Sequence, residues 1–263
     1  MPATRRLTVR STTIDLMEDG AGPPLLFLHG AGGAVRWLPF HARLAERFAV
    51  RYPVHPGHGG TPEAEWIEHI SDLAFHYLDL LDDLRLDRVH LVGASFGGWI
   101  AAELAVMASH RLRSLTLIDP VGIRVEGWIY PFLFGMEIPE LVGLIFQKLE
   151  TAMLTAPEDM TDPDTLITLY RQNTALARVA WNPYLYDPLL RRRLARITAP
   201  TLLCWGAHDR LAPVSPCAEA WEKEIPGTTL RLFAESGHVP HLEEPDTVAD
   251  AIIGFCSALE ARA

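Results

Sequence analysis

Two kinds of hydrophobic pattern alternate along this chain. Short apolar runs, typical of buried strands, are interleaved with segments in which apolar residues recur every three or four positions, as on one face of a helix. Residues 72–84 have this helical spacing, carried by Leu73, His76, Tyr77, Leu80, Leu81 and Leu84. Strands that alternate with helices are typical of a mostly parallel sheet with helices on both faces. The pattern therefore predicts the α/β class.

Eight segments have the length and composition of strands. They are residues 7–10, 12–18, 25–28, 48–54, 89–94, 112–118, 201–206 and 229–233. The first two lie close together and predict an antiparallel start, whereas helical segments, for example near 36–47, separate later ones. We therefore expect an eight-stranded, mostly parallel sheet.

One long segment interrupts this alternation. Residues 122–194, called the inserted segment below, are rich in aromatic residues and have helical patterns near 140–153 and 164–180. The aromatic residues are Trp128, Tyr130, Phe132, Phe134, Phe146, Trp181, Tyr184 and Tyr186. We expect a core formed by residues 1–121 and 195–263, with the inserted segment as a separate helical unit.

Length, composition and charge narrow the class of protein. The chain has 263 residues, of which 49% are hydrophobic, so it can bury a sizeable core within one domain. Its net charge of −10 argues against nucleic acid as a partner, because phosphates require a basic face. We find no apolar run long enough to span a membrane, and the N-terminal residues lack the apolar region of a signal peptide.

The cysteines indicate a reducing compartment. Cys204, Cys217 and Cys256 are an odd number and are widely spaced, without the pairing that metal sites or disulfides show. We therefore expect a cytoplasmic protein. The sequence leaves open whether it forms a homodimer.

The most informative motif is a serine between a strand and a helix. Gly93-Ala94-Ser95-Phe96-Gly97 follows an apolar run directly and precedes a helical pattern. A strand that turns sharply into a helix at a serine is a nucleophile elbow, in which the serine oxygen projects from the sheet. We predict Ser95 as a nucleophile.

Such a serine needs a base and a carboxylate that orients the base. Asp209 and His238 both follow predicted strands, so the chain order is Ser95, Asp209, His238. That order is expected of an α/β-hydrolase. We predict His238 as the base and Asp209 as the carboxylate, ahead of two rivals: Asp119, which ends the strand before the inserted segment, and His241, three residues after His238.

A glycine-rich loop completes the candidate site. Residues 25–28 run into His29-Gly30-Ala31-Gly32-Gly33. Such a loop can turn a backbone N–H toward a developing oxyanion, with a second N–H from the residue after the nucleophile. We predict the N–H groups of Ala31 and Phe96 as the oxyanion hole, and Gly30 beside the substrate. These parts need no metal or organic cofactor, and the histidines lack zinc-binding spacing.

Taken together, these motifs resemble the α/β-hydrolase superfamily over nearly the whole chain, in its esterase and meta-cleavage-product hydrolase branch. The resemblance implies that the inserted segment is a helical cap over the active site. It also implies a serine hydrolase acting on an apolar small-molecule carboxylic ester, with Trp128 and Phe132 as candidate substrate contacts.

Two alternatives to the esterase stay open. Meta-cleavage-product hydrolases cleave a carbon–carbon bond, but typically carry Trp directly after the catalytic histidine, where this chain has Val239. Some proteins that resemble α/β-hydrolases act instead as ligand receptors.

Overall fold

A single sheet of eight strands organises the protein. The computed structural model describes residues 2–32, 35–157 and 159–261. The strands are β1 (Ala3–Val9), β2 (Thr12–Asp19), β3 (Pro24–Leu28), β4 (Ala49–Pro53), β5 (Val89–Ala94), β6 (Leu112–Ile118), β7 (Thr201–Gly206) and β8 (Thr229–Phe233). Their order in the sheet is β1-β2-β4-β3-β5-β6-β7-β8.

The strand directions agree with the pattern in the sequence. Strand β2 is antiparallel to both β1 and β4, and every later pairing is parallel. The prediction of a mostly parallel, eight-stranded sheet of the α/β class is confirmed. Because β3, β5, β6, β7 and β8 are parallel, the loops after them leave from one edge of the sheet, its carboxyl edge.

Helices cover both faces of this sheet. They are α1 (Pro39–Ala45), α2 (Ile70–Asp83), α3 (Phe96–Ala108), α4 (Ile138–Ile145), α5 (Leu149–Thr155), α6 (Pro163–Ala180), α7 (Leu190–Arg193), α8 (Glu219–Glu224), α9 (Pro240–Glu243) and α10 (Pro245–Glu260). One core cluster packs α2, α3 and α8 against the sheet, and a second packs α1 and α10 on the opposite face.

One predicted helix is broken. The sequence pattern predicts continuous helical structure near 140–153, but α4 ends at Ile145 and α5 begins at Leu149. The N–H groups of Gln147 and Lys148 instead donate to the side chain of Glu243. An acceptor far along the chain thus competes with the helical hydrogen bonds that the local pattern favours.

The inserted segment lies over the carboxyl edge of the sheet. Its Ala156 carbonyl accepts a hydrogen bond from Arg36 after β3, and Arg178 pairs with a loop after β4. Trp128 donates to Leu211 after β7, and the Ile145 carbonyl accepts the N–H of His238 after β8. Helices in the described part of the chain lack the length and apolar character needed to cross a bilayer.

Candidate active site

The elbow forces Ser95 into strained backbone geometry. Ser95 joins β5 to α3 with φ of 51° and ψ of −113°, a conformation that residues other than glycine rarely adopt. The glycines on either side permit the sharp turn. A Cβ at Gly93 would lie 2.3 Å from the carbonyl oxygen of Gly97, and one at Gly97 would lie 2.1 Å from that of Leu28. Strain held at one serine by tight packing is a mark of functional sites.

The structure brings Ser95, His238 and Asp209 into one hydrogen-bonded chain. The His238 Nε2 lies 2.8 Å from the Ser95 Oγ, and its Nδ1 lies 2.8 Å from an Asp209 oxygen. Because Asp209 accepts at Nδ1, that nitrogen carries the proton and Nε2 is free to accept the serine hydroxyl. This is the tautomer that a general base needs.

Asp209, and not its rival Asp119, contacts the imidazole. The second oxygen of Asp209 accepts the N–H groups of Leu211 and Ala212, at 2.8 and 2.9 Å. These bonds hold its carboxylate in one orientation. Asp119 lies close by, but its Oδ1 accepts the N–H of Gly206 at 3.0 Å.

The surroundings of Asp119 favour its neutral form. Burial, and then the nearby charge of Asp209, raise the pKa of Asp119 well above its usual range. Asp209 accepts two backbone N–H groups, whereas Asp119 accepts one, that of Gly206.

His241 is a poor competitor for the role of base. Its ring packs against Phe27 and Phe40 in a buried aromatic cluster. Burial, and then the neighbouring His238, lower the pKa of His241 to about 3. Such a buried histidine stays neutral, and it is His238 that hydrogen-bonds to Ser95.

The predicted oxyanion loop lies beside the serine. A Cβ at Gly30 would be 3.6 Å from the Cβ of Ser95, so the loop backbone is near the nucleophile. Phe96 is the first residue of α3, and N–H groups in a first helical turn have no acceptor within the helix. The N–H groups of Ala31 and Phe96 stay a prediction, and Gly33 lies outside the described residues.

Buried histidines that the sequence analysis did not connect hold this loop. The His29 Nε2 accepts the N–H of His55 at 3.0 Å, and its Nδ1 donates to the Gly30 carbonyl at 2.7 Å. The two rings stack with centroids 3.7 Å apart. Burial is the main cause that lowers the pKa of His29 and of His55 well below the usual range, so both are neutral. The signal in the sequence that could have found this contact is His55, two residues after the end of β4.

The two aromatic residues predicted to touch substrate have different surroundings. Trp128 is partly buried, and its indole N–H donates to the Leu211 carbonyl at 3.1 Å, two residues from Asp209. Phe132 is half exposed and packs with Phe134, Trp181 and Tyr184. Trp128 is thus tied to the loop of the candidate acid, whereas Phe132 belongs to an aromatic cluster of the inserted segment.

Among the described residues, one group of potential metal ligands lies at this site. Asp119, Asp209 and His238 offer ligand atoms within 4.8 Å of one another. Both ring nitrogens of His238 are already engaged, by Asp209 and Ser95. The arrangement therefore suits proton transfer from the serine rather than metal coordination.

Comparisons with known proteins agree with this geometry. A model of the alpha/beta hydrolase family matches residues 25–251. The chain is 31% identical over 246 residues to the pimeloyl-acyl-carrier-protein methyl ester esterase of Aromatoleum aromaticum, covering 86% of this chain and 95% of that protein. The structure of a serine hydrolase involved in carbazole degradation superimposes with a TM-score of 0.80 at 22% identity, covering 98% of this chain and 100% of that one.

A further relative is longer than this chain. The dihydrolipoyllysine-residue acetyltransferase component of the acetoin cleaving system of Cupriavidus necator is 28% identical over 234 residues. The match covers 86% of this chain but only 62% of that relative. Since the family model spans most of the sequence, this chain belongs to the alpha/beta hydrolase family. The hydrolase class predicted from the sequence is confirmed.

Proposed function

We propose that this protein is a serine hydrolase that cleaves an apolar small-molecule carboxylic ester. The observation that carries the proposal is the pair of 2.8 Å hydrogen bonds from His238 to Ser95 and Asp209. The similarity to a methyl ester esterase supports the choice of an ester bond. We also propose a reducing, cytoplasmic location, in keeping with three cysteines that are free and buried.

The proposed reaction has two halves. His238 removes the proton of Ser95 as the serine oxygen attacks the acyl carbon, and Asp209 stabilises the protonated imidazole. The N–H groups of Ala31 and Phe96 stabilise the tetrahedral oxyanion, each by about 3 kcal/mol. The alcohol leaves with the proton from His238, and water activated by the same imidazole then releases the acid.

We propose the inserted segment as the cap that supplies the apolar part of the binding site. Trp128 supports this because it lies over the loop of Asp209, and Phe132 would contribute from the aromatic cluster. An unpaired charge on the acyl group would be costly to bury among such side chains. The preferred substrates are therefore esters of medium-length or aromatic acids.

Labelling with a fluorophosphonate, followed by a panel of esters, tests the proposal. Ser95→Ala should abolish labelling and reduce turnover by several orders of magnitude. In the unmodified protein, kcat/KM should rise from acetyl to longer acyl esters. Each methylene that is buried should lower the activation free energy by up to about 0.8 kcal/mol.

Three results would contradict parts of the proposal. Labelling that persists in Ser95→Ala would place the nucleophile elsewhere. An anionic dienone as the only good substrate would favour carbon–carbon bond cleavage. Stoichiometric reaction with tight ligand binding, and no repeated turnover, would indicate a receptor.

A further inference from the structure

The inserted segment is hydrogen-bonded to the loop that carries the candidate base. The link between α4 and α5, residues 146–148, runs beside Gly237 and His238. The backbone N–H of His238 donates to the Ile145 carbonyl at 2.8 Å. A Cβ at Gly237 would lie 2.7 Å from that same carbonyl oxygen, so the two backbones are in direct contact.

Glu243 joins these two backbones through its side chain. One carboxylate oxygen accepts the N–H groups of Gln147 and Lys148, at 2.8 and 2.5 Å. The other oxygen accepts the N–H of Gly237 at 2.6 Å. The side chain is buried, and hydrogen bonds to a carboxylate are shorter and stronger than neutral ones. One carboxylate thus holds the link and the residue before His238 together.

The loop of the candidate acid reaches the same region of the inserted segment. Arg210, directly after Asp209, donates to the Gly143 carbonyl at 2.5 Å and to the Gln147 side-chain oxygen at 2.7 Å. The link between α4 and α5 is therefore attached next to both the base and the acid.

We infer that Glu243 is a positioning residue for His238. By tying Gly237 to the link between α4 and α5, it fixes the imidazole relative to Ser95 and makes that position depend on the inserted segment. The inference deepens the proposed function and rests on it. Glu243 touches no reacting atom, so its effect falls on the rate of serine attack rather than on substrate affinity.

The neighbouring Glu244 provides a matched control. Its carboxylate accepts the N–H of Glu235 and the hydroxyl of Ser236, at 3.1 and 2.6 Å, so it braces the same loop. Among the described residues, no hydrogen bond joins the Glu244 side chain to the inserted segment. Glu244→Gln therefore perturbs the loop without breaking the tie to α4 and α5.

The experiment compares Glu243→Gln, Glu243→Ala and Glu244→Gln with the unmodified protein. A glutamine offers one acceptor oxygen and turns an NH₂ group toward an N–H donor, so it keeps the size but loses part of the tie. The readouts are the rate of Ser95 phosphonylation by a small fluorophosphonate, kcat and KM for p-nitrophenyl acetate, and the downfield proton resonance of the His238–Asp209 hydrogen bond.

We expect both Glu243 variants to lose about 10- to 100-fold in phosphonylation rate and kcat, as small displacements of catalytic groups do. KM for the acetate should change by less than about twofold, since uniform binding is left in place. The downfield resonance should broaden or disappear. Glu244→Gln should lose less than about threefold, in keeping with a group that is not coupled to the inserted segment.

Several results would overturn the inference. These are phosphonylation of Glu243→Gln at the unmodified rate, a rise in KM with kcat unchanged, or an equal loss in Glu244→Gln. If these Glu243 variants do not fold, Glu243→Asp tests the same tie, because it keeps the carboxylate but shortens the side chain, and an unchanged rate there overturns the inference.

A failure of the proposed function can be distinguished from a failure of this inference. If the unmodified protein is not phosphonylated, the serine hydrolase proposal is wrong. The downfield resonance still reports whether Glu243 governs the contact between His238 and Asp209.

Discussion

The core and the inserted segment use apolar residues in different ways. In the core, most apolar side chains of the strands and of the helices over them are buried, and some are fully buried, as at Leu117 and Leu203. In the described part of the chain, the large apolar side chains that are exposed all lie in the inserted segment except Trp66, Phe75 and Leu232. A layer that covers one edge of a sheet has protein beneath it and solvent above it.

The core and the inserted segment are joined by both apolar and polar contacts. Buried apolar side chains of the inserted segment, such as Leu176 and Leu185, pack into the main core cluster. Polar contacts join the two regions at loops on the carboxyl edge of the sheet, through Trp128, Arg178, Arg210 and Glu243. We therefore expect the core to determine stability and the chemical step. The inserted segment should determine which substrates bind and, through Glu243, how the base is held.

The largest expected effect separates the two acids in the core. Asp209→Asn should reduce turnover roughly ten-thousand-fold, because an amide no longer favours the tautomer in which Nδ1 of His238 carries the proton. Asp119→Asn should cost far less, since a neutral amide resembles the neutral carboxyl that burial favours there. Steady-state kinetics on one ester measures both.

Circular dichroism would establish that the two variants keep their fold. A larger loss in Asp119→Asn than in Asp209→Asn would reverse the assignment of the acid.

Truncation of leucines compares stability in the two regions. Leu117→Ala, fully buried in β6, should lower the free energy of unfolding by about 2–5 kcal/mol, through lost transfer energy and a residual cavity. Leu154→Ala in α5, where the leucine is 67% exposed, should change it by less than about 0.5 kcal/mol. Urea unfolding measures both. A large loss at Leu154 would mean that this face of the inserted segment is covered in solution.

Glu103, a buried carboxyl in α3, lies where the inserted segment rejoins the core. It makes the stability of the protein depend on pH. Burial, and then the charge of Asp187, raise the pKa of Glu103 to about 7, although Arg193 lies 3.5 Å away. The folded protein binds this proton more tightly than the unfolded chain, so the stability it contributes is present at low pH and lost as the pH rises through about 7.

Glu103→Gln should remove this dependence. The variant should match the unmodified protein near pH 4 and exceed it near pH 8, by at most about 3 kcal/mol. Thermal unfolding from about pH 4 to pH 8 measures the difference. Equal slopes of stability against pH in the two proteins would show that Glu103 does not titrate in this range.

The smallest effect is expected at an exposed tie between the regions. Arg178 in α6 pairs with Glu63 at 3.1 Å, and both side chains are partly exposed. Arg178→Gln should change the free energy of unfolding by less than about 1 kcal/mol and leave turnover unchanged, because exposed ion pairs contribute little. A clear loss of turnover would mean that the inserted segment is held to the core by α6 as well as by Glu243.

Much of the fold could be predicted from the sequence because local patterns encode it. The predicted strand bounds 89–94, 112–118, 201–206 and 229–233 coincide with those of β5, β6, β7 and β8. In the inserted segment the prediction was weaker, and helical structure near 140–153 proved to be two helices. Regular buried strands give a clear hydrophobic pattern in the sequence. The helices of the inserted segment depend in addition on contacts with loops of the core, which a local pattern does not show.

By itself the sequence determined the α/β class and the order Ser95, Asp209, His238, because a nucleophile elbow needs glycines at fixed positions and strands place loops at one edge. Only the tertiary structure decided which acid faces His238, since Asp119 and Asp209 both follow strands and a few ångströms separate their roles. It also decided where α4 ends. The acceptor for Gln147 and Lys148 lies about a hundred residues later, at Glu243, and no local pattern reports a contact at that separation.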